Sequence, residues 1–360
     1  MKRLKNLIIL FIVLAFTPSC SEYLDVVPDN TLTLEDLFKS KEEAWDALAK
    51  VYSYMPRIEQ THSSIWTAGD EYIGRLDYND NAWDLRGIRI MRGLQSVSDP
   101  LLGDWSGTSA GSPLYAGIRQ ANVFLANIDK VPDMSEDERS EWRAQVKFLK
   151  AYYNFLLVQK YGPIVISDEL IAPDASKDQL FLERTKVEDC FDYIIALMDE
   201  AIPELKEKAI ATLLGQVDQA AAKAIKARVM VFRASPFFNG NMEYFGDFVD
   251  NNGEPYFPLE YDKEKWKDAI DAIEEALVAA QTNGNALYQY SAQPYVFDRE
   301  DYLANTENVQ RIYDLRMAIT DPWNKELVWG FSNIDIYGGS ELAHSTNMRL
   351  PEGYGGGITN

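Results

Sequence analysis

Four tryptophans, Trp66, Trp83, Trp105 and Trp323, fall in polar stretches rich in Gly, Asp and Asn, where an indole has no helix stripe to pack on. An open indole is a flat apolar platform, and acids or amides beside it supply hydrogen-bond partners at its edge. Such a platform suits a ligand with an apolar C–H face and a hydroxyl rim, which is the surface of a sugar ring. The segment Asp77-Tyr78-Asn79-Asp80-Asn81-Ala82-Trp83-Asp84 has that mixture. Tyr78, Asp80, Trp83, Trp105 and Trp323 are therefore the candidate ligand-binding residues, with stacking as their chemistry. The alternative for each tryptophan is that a large loop folds back and buries its own indole.

Other constellations lack parts. Asp77, Asn79 and Asn81 open like a calcium loop, but Ala82 stands where the turn needs Gly and Ile88 where a bidentate Glu belongs. Gly355-Gly356-Gly357 lacks the Lys-Ser/Thr of a phosphate loop. His62 and His344 have no HExxH context, and neither a GxSxG nor a Ser-x-x-Lys stretch occurs. Carboxylate pairs are unavoidable among 56 acids and so do not mark glycosidase chemistry. Arg86, Arg89 and Arg92 form a small basic cluster, either solvated and salt-bridged or facing an acidic sugar. No catalytic residue, metal site or cofactor is assigned. A net charge of −21 argues against a nucleic-acid partner, since polyphosphates select basic faces.

The elements that must position these loops are helical. Apolar residues recur at helical spacing in six segments, at about 34–55, 113–129, 136–161, 186–206, 217–233 and 263–281. Ser112-Pro113 reads as the start of the second, and Ser135 with Glu138 as a capping box for the third. Thr185 with Glu188 reads as another box for the fourth. The third segment is apolar on both sides, through Trp142, Val146 and Tyr153 on one and Phe148, Tyr152 and Phe155 on the other, and should be buried nearly all round. Trp45, Trp142 and Trp266 lie on helix stripes and read as core. Trp329 reads as core within a strand candidate at Glu326–Phe331. Long helices joined in pairs predict a mostly α fold, a tetratricopeptide-like α-α superhelix, with long irregular insertions at about 56–112, 162–185 and 234–262.

The N-terminus is a separate element. Lys2, Arg3 and Lys5 precede an apolar run from Leu7 to Phe16, which is too short to span a hydrocarbon core that needs about 20 residues. This is the layout of a secretory signal peptide, residues 1–19, with Cys20 placed where lipoprotein processing would leave it as an acylated N-terminus. A plain secretory peptide with a coincidental cysteine is the alternative. With Cys20 acylated, Cys190 is the only thiol, and no internal disulfide can form.

Several stretches together resemble the SusD/RagB family of Bacteroidetes lipoproteins. Cys20-Ser21-Glu22-Tyr23-Leu24-Asp25 followed by Pro28 resembles its post-lipidation start, and Phe38 through Tyr52 its first helix. Tyr161-Gly162-Pro163 after a long aromatic helix is similar to the family, as is Ala227-Arg228-Val229 leading into Ala234-Ser235-Pro236-Phe237-Phe238-Asn239-Gly240. The resemblance covers about residues 20–280. It implies one SusD-like domain over residues 20–360, with a helical scaffold at about 34–281, lipid-anchored to the outer membrane at the cell surface. It implies a non-enzymatic protein that captures oligosaccharides and delivers them to a SusC-like TonB-dependent transporter. A surface-anchored helical scaffold for other proteins, without sugar affinity, is the second reading. Family members run longer, and the Gly-rich end at Asn360 reads as mid-loop, so the C-terminal part is expected to be missing.

Overall fold

The computed structural model of the chain describes residues 36–56, 68–69, 86–108, 112–172, 175–291, 306–321 and 323–330. The helices in chain order are α1 (Lys41–Tyr52), α2 (Arg86–Met91), α3 (Leu114–Asn127), α4 (Glu136–Tyr161) and α5 (Lys177–Leu180). They continue with α6 (Val187–Ala201), α7 (Gln219–Ala234), α8 (Met242–Phe245), α9 (Glu264–Asn283) and α10 (Thr306–Thr320). Among the described residues there is no β-strand, only isolated bridges such as Ile164 with Thr185. The long helices from α1 to α9 pack on their neighbours in chain order: α1 on α3, α3 on α4, α4 on α6, α6 on α7 and α7 on α9. Such nearest-neighbour stacking is the arrangement of a tetratricopeptide-like solenoid, as the helical spacing predicts.

The core is built around α4. Its start is the expected capping box: the Glu138 amide donates to Ser135 Oγ at 3.3 Å while the Ser135 amide donates back to Glu138 Oε2 at 2.9 Å. Hydrogen bonds from Lys41 and from the Ser135 amide hold the Glu138 carboxyl down at about 2. From Trp142 to Val158 nearly every position is buried, so the helix is enclosed as the sequence predicts. Trp142 meets Trp45 at 5.4 Å between ring centroids, and the Tyr153 hydroxyl donates to Val51 O at 2.6 Å. Gly117 of α3 lets the two helices close up, because a Cβ there would stand 2.9 Å from Tyr54 Cβ and 3.1 Å from the Tyr153 ring. Gly162 ends α4 at φ 68°, conformational ground that glycine holds without strain.

Several expectations need correction. Pro113 is itself the cap residue of α3, and Ser112 makes no side-chain cap; its amide instead donates to Asp104 Oδ1 at 2.8 Å. Thr185 and Glu188 form no capping box. Thr185 bridges to Ile164, and the Glu188 carboxylate is taken by Arg233 of α7 and, at 2.6 Å, by Lys265 of α9. Tertiary ion pairing therefore outcompetes the local cap. Residues 326–330 are turn and bend rather than strand, and Trp329 is partly buried against the core, edge-on to Phe148 and Tyr152 at 5.6 Å each. Helix α10 lies beyond the predicted scaffold. Trp266 is not core: it is exposed on α9, whose buried residues are Ala269 and Ala276.

Candidate functional site

Trp105 lies in the turn between α2 and α3, and its position follows from Asp104. That aspartate is buried; Oδ1 accepts from the Ser112 amide, Oδ2 pairs with Lys160 near the end of α4, and its carbonyl accepts from Leu114 N at 3.0 Å. One residue thus staples the loop to the start of α3 and the end of α4. The Trp105 amide donates to the Tyr161 hydroxyl at 3.2 Å, which in turn donates to Leu102 O. Around the half-buried indole stand Tyr115 at 4.7 Å and Tyr161, edge-on, at 5.5 Å. The Arg184 guanidinium lies over the ring at 5.5 Å and is held by Pro163 O at 3.0 Å. Tyr115 donates to Val165 O at 2.8 Å and accepts from Val165 N at 3.0 Å. Burial raises the Tyr115 and Tyr161 phenols above their ordinary value. The Trp105 Nε1–H has no acceptor among the described residues, which leaves that edge for water or a ligand.

Trp323 sits elsewhere. Its backbone is left-handed at φ 55°, an unusual conformation for a bulky residue that costs on the order of 1–3 kcal/mol. The indole stays exposed beside the turn at Gly215 and close to Gly330. Gly215 O also accepts from Trp329 Nε1 at 3.0 Å, tying this corner to the middle of α4. No described contact joins Trp105 to Trp323. Trp83, Tyr78, Asp80, Trp66 and Cys20 lie outside the described residues. Arg89 of the basic cluster pairs with Asp99.

The aromatic and cationic partners of Trp105 are invisible to spacing, since Tyr161 and Arg184 come from the far end of α4 and the insertion after it. A second polar network was also missed. Lys150 of α4, 2% exposed, binds Asp168 Oδ1 at 2.6 Å and Asp168 O at 3.1 Å, and the Tyr193 hydroxyl donates to the same Oδ1 at 2.6 Å. Burial pushes the Asp168 carboxyl up, but the hydrogen bonds from Lys150 and Tyr193 outweigh it and hold it below the usual range. The network lines an open cavity of about 630 Å³ between α3, α4 and α6. The available signal was a lysine in the middle of a helix apolar on all sides.

Comparison with known proteins points one way. Residues 22–231 match the SusD-like family model whose description is "Starch-binding associating with outer membrane". SusD-like protein P38 of Formosa agariphila is 24% identical over 206 residues, covering 56% of this chain and 38% of its own length. SusD-like protein P25 of the same organism is 23% identical over 170 residues, covering 44% and 31%. The solved structure of BT4246 is 29% identical with a TM-score of 0.68, over 82% of this chain and 51% of that one. The chain thus spans about a third of the length of the two curated relatives and half that of BT4246. No helix among the described residues is long and apolar enough to cross a membrane.

Proposed function

The chain belongs to the SusD-like family, and from that membership we propose that it is a cell-surface glycan-binding lipoprotein. Processing after residue 19 leaves Cys20 acylated, and the lipid holds the helical body at the outer membrane. Oligosaccharides stack on the loop indoles of Trp83, Trp105 and Trp323, with Tyr78 and Asp80 at their edges, and pass to a SusC-like TonB-dependent transporter. The protein does no chemistry on the sugar. Tethering raises the effective concentration of captured ligand at the pore mouth.

The observation that supports this reading best is Trp105. Its indole is fixed by Tyr115, Tyr161 and Arg184, while Nε1 remains unpaired among the described residues. A platform held rigid before the ligand arrives loses little entropy on binding. Calorimetry against a panel of plant, host and microbial glycans tests it. We expect one class to bind without hydrolysis, and Trp105→Ala to weaken that binding about tenfold or more with the fold intact. Binding to none of the panel, or unchanged affinity in Trp83→Ala, Trp105→Ala and Trp323→Ala alike, overturns the reading. Mass spectrometry of residue 20 tests the anchor separately.

A further inference from the structure

Helix α9 carries an apolar seam that the described residues leave partly open. Trp266, Ile270, Ile273 and Leu277 are 36%, 54%, 37% and 56% exposed, although each is large and apolar. Their spacing of four, three and four residues is that of a coiled-coil seam, which another helix fits by knobs-into-holes packing. The adjoining flank of α9 is occupied, since Ala269 and Ala276 are its buried positions and α7 packs there. A contiguous apolar stripe of this kind marks an association surface.

The charges beside the seam identify the partner. Lys267 and Glu274 are two turns apart, both exposed, on the flank away from α7. Neither makes an ion pair among the described residues. Two antiparallel copies of α9 meeting about a twofold axis between Ile270 and Ile273 bring Trp266 of one copy against Leu277 of the other, and Ile270 against Ile273. The same operation sets Lys267 of each copy beside Glu274 of the other, because antiparallel helices bring identical flanks together. A parallel pair would oppose Lys267 with Lys267 only across the seam and gain neither contact. We propose that the α9 seam is a self-association surface, through which two copies of this chain form an antiparallel, isologous dimer.

Sedimentation velocity on the full chain in mild non-ionic detergent tests this. The apolar leader is common to every variant, so differences between variants report the seam. Because one helix seam is a small interface, we expect reversible dimerisation within roughly 1–100 μM. Ile273→Glu should leave only monomer with an unchanged circular dichroism spectrum, and Ile270→Gln, at the more exposed position, provides the same test should the first variant misfold. Lys267→Glu should weaken the dimer about tenfold, since symmetry repeats the clash twice. The doubly swapped Lys267→Glu, Glu274→Lys protein should return to within about threefold of the starting affinity. A chain that stays monomeric over the whole range, a folded seam variant that dimerises as before, or a double swap no better than the single one would each overturn the proposal.

Discussion

Helices α4 and α9 carry similar sequence signals and meet opposite ends. Both are long, and both place Trp and branched aliphatics at helical spacing. In α4 those residues are buried from Trp142 to Val158. In α9 the bulky stripe faces out, while alanines face in toward an alanine-rich α7. Small residues allow the closest helix approach, so the α7–α9 contact selects the alanines and leaves the large side chains outside. Periodicity reports that a helix has an apolar face; neighbouring surfaces decide whether that face is covered.

Core truncation is the strongest way to break this comparison. Leu149→Ala, at a fully buried site in α4, should cost about 2–5 kcal/mol, whereas Ile270→Ala on α9 should stay within about 0.5 kcal/mol. Urea midpoints measured well below the dimerisation range decide it; similar losses at the two sites would mean α9 is as enclosed as α4.

The buried lysine sharpens the same contrast from the polar side. Asp168→Asn leaves Lys150 charged in the core without its carboxylate and should cost about 2 kcal/mol. Lys150→Met frees a largely exposed aspartate that water can solvate, and should cost under about 1 kcal/mol. Because Asp168 titrates lower in the folded chain than in the unfolded one, its contribution is present above about pH 4 and is lost as pH falls through the depressed value. The gap between wild type and Asp168→Asn should therefore close in acid, and a gap that widens below pH 4 would contradict the pairing. A local effect belongs to the cap: Ser135→Ala should cost about 1 kcal/mol, seen as faster amide exchange in the first turn of α4 alone.

What could be read in advance was local. The box at Ser135 and Glu138, the span of α4 and its all-round burial each depend on residues within a few turns of one another. The misplaced features depend on distant ones. Glu188 had a local partner in Thr185 and took Arg233 and Lys265 instead. Trp266 followed the same stripe rule as Trp142, but no neighbour arrives to bury it. Helix α10 had its own signal in Val309, Ile312, Leu315 and Ile319, obscured by the Tyr- and Asn-rich stretches around it. Trp105 was legible as a loop indole, whereas the Tyr115, Tyr161 and Arg184 setting that fixes it comes from three separate parts of the chain.

Cys190 is fully buried on α6, with its Sγ 3.4 Å from Thr185 O, and burial raises its thiol to about 11. At neutral pH it is sealed from solvent and almost wholly uncharged, so alkylating reagents pass it by while the chain stays folded. The molecule therefore carries a built-in blank: any maleimide taken up under native conditions reports residue 20 alone, and an acylated N-terminus would leave the folded protein unlabelled until denaturant is added.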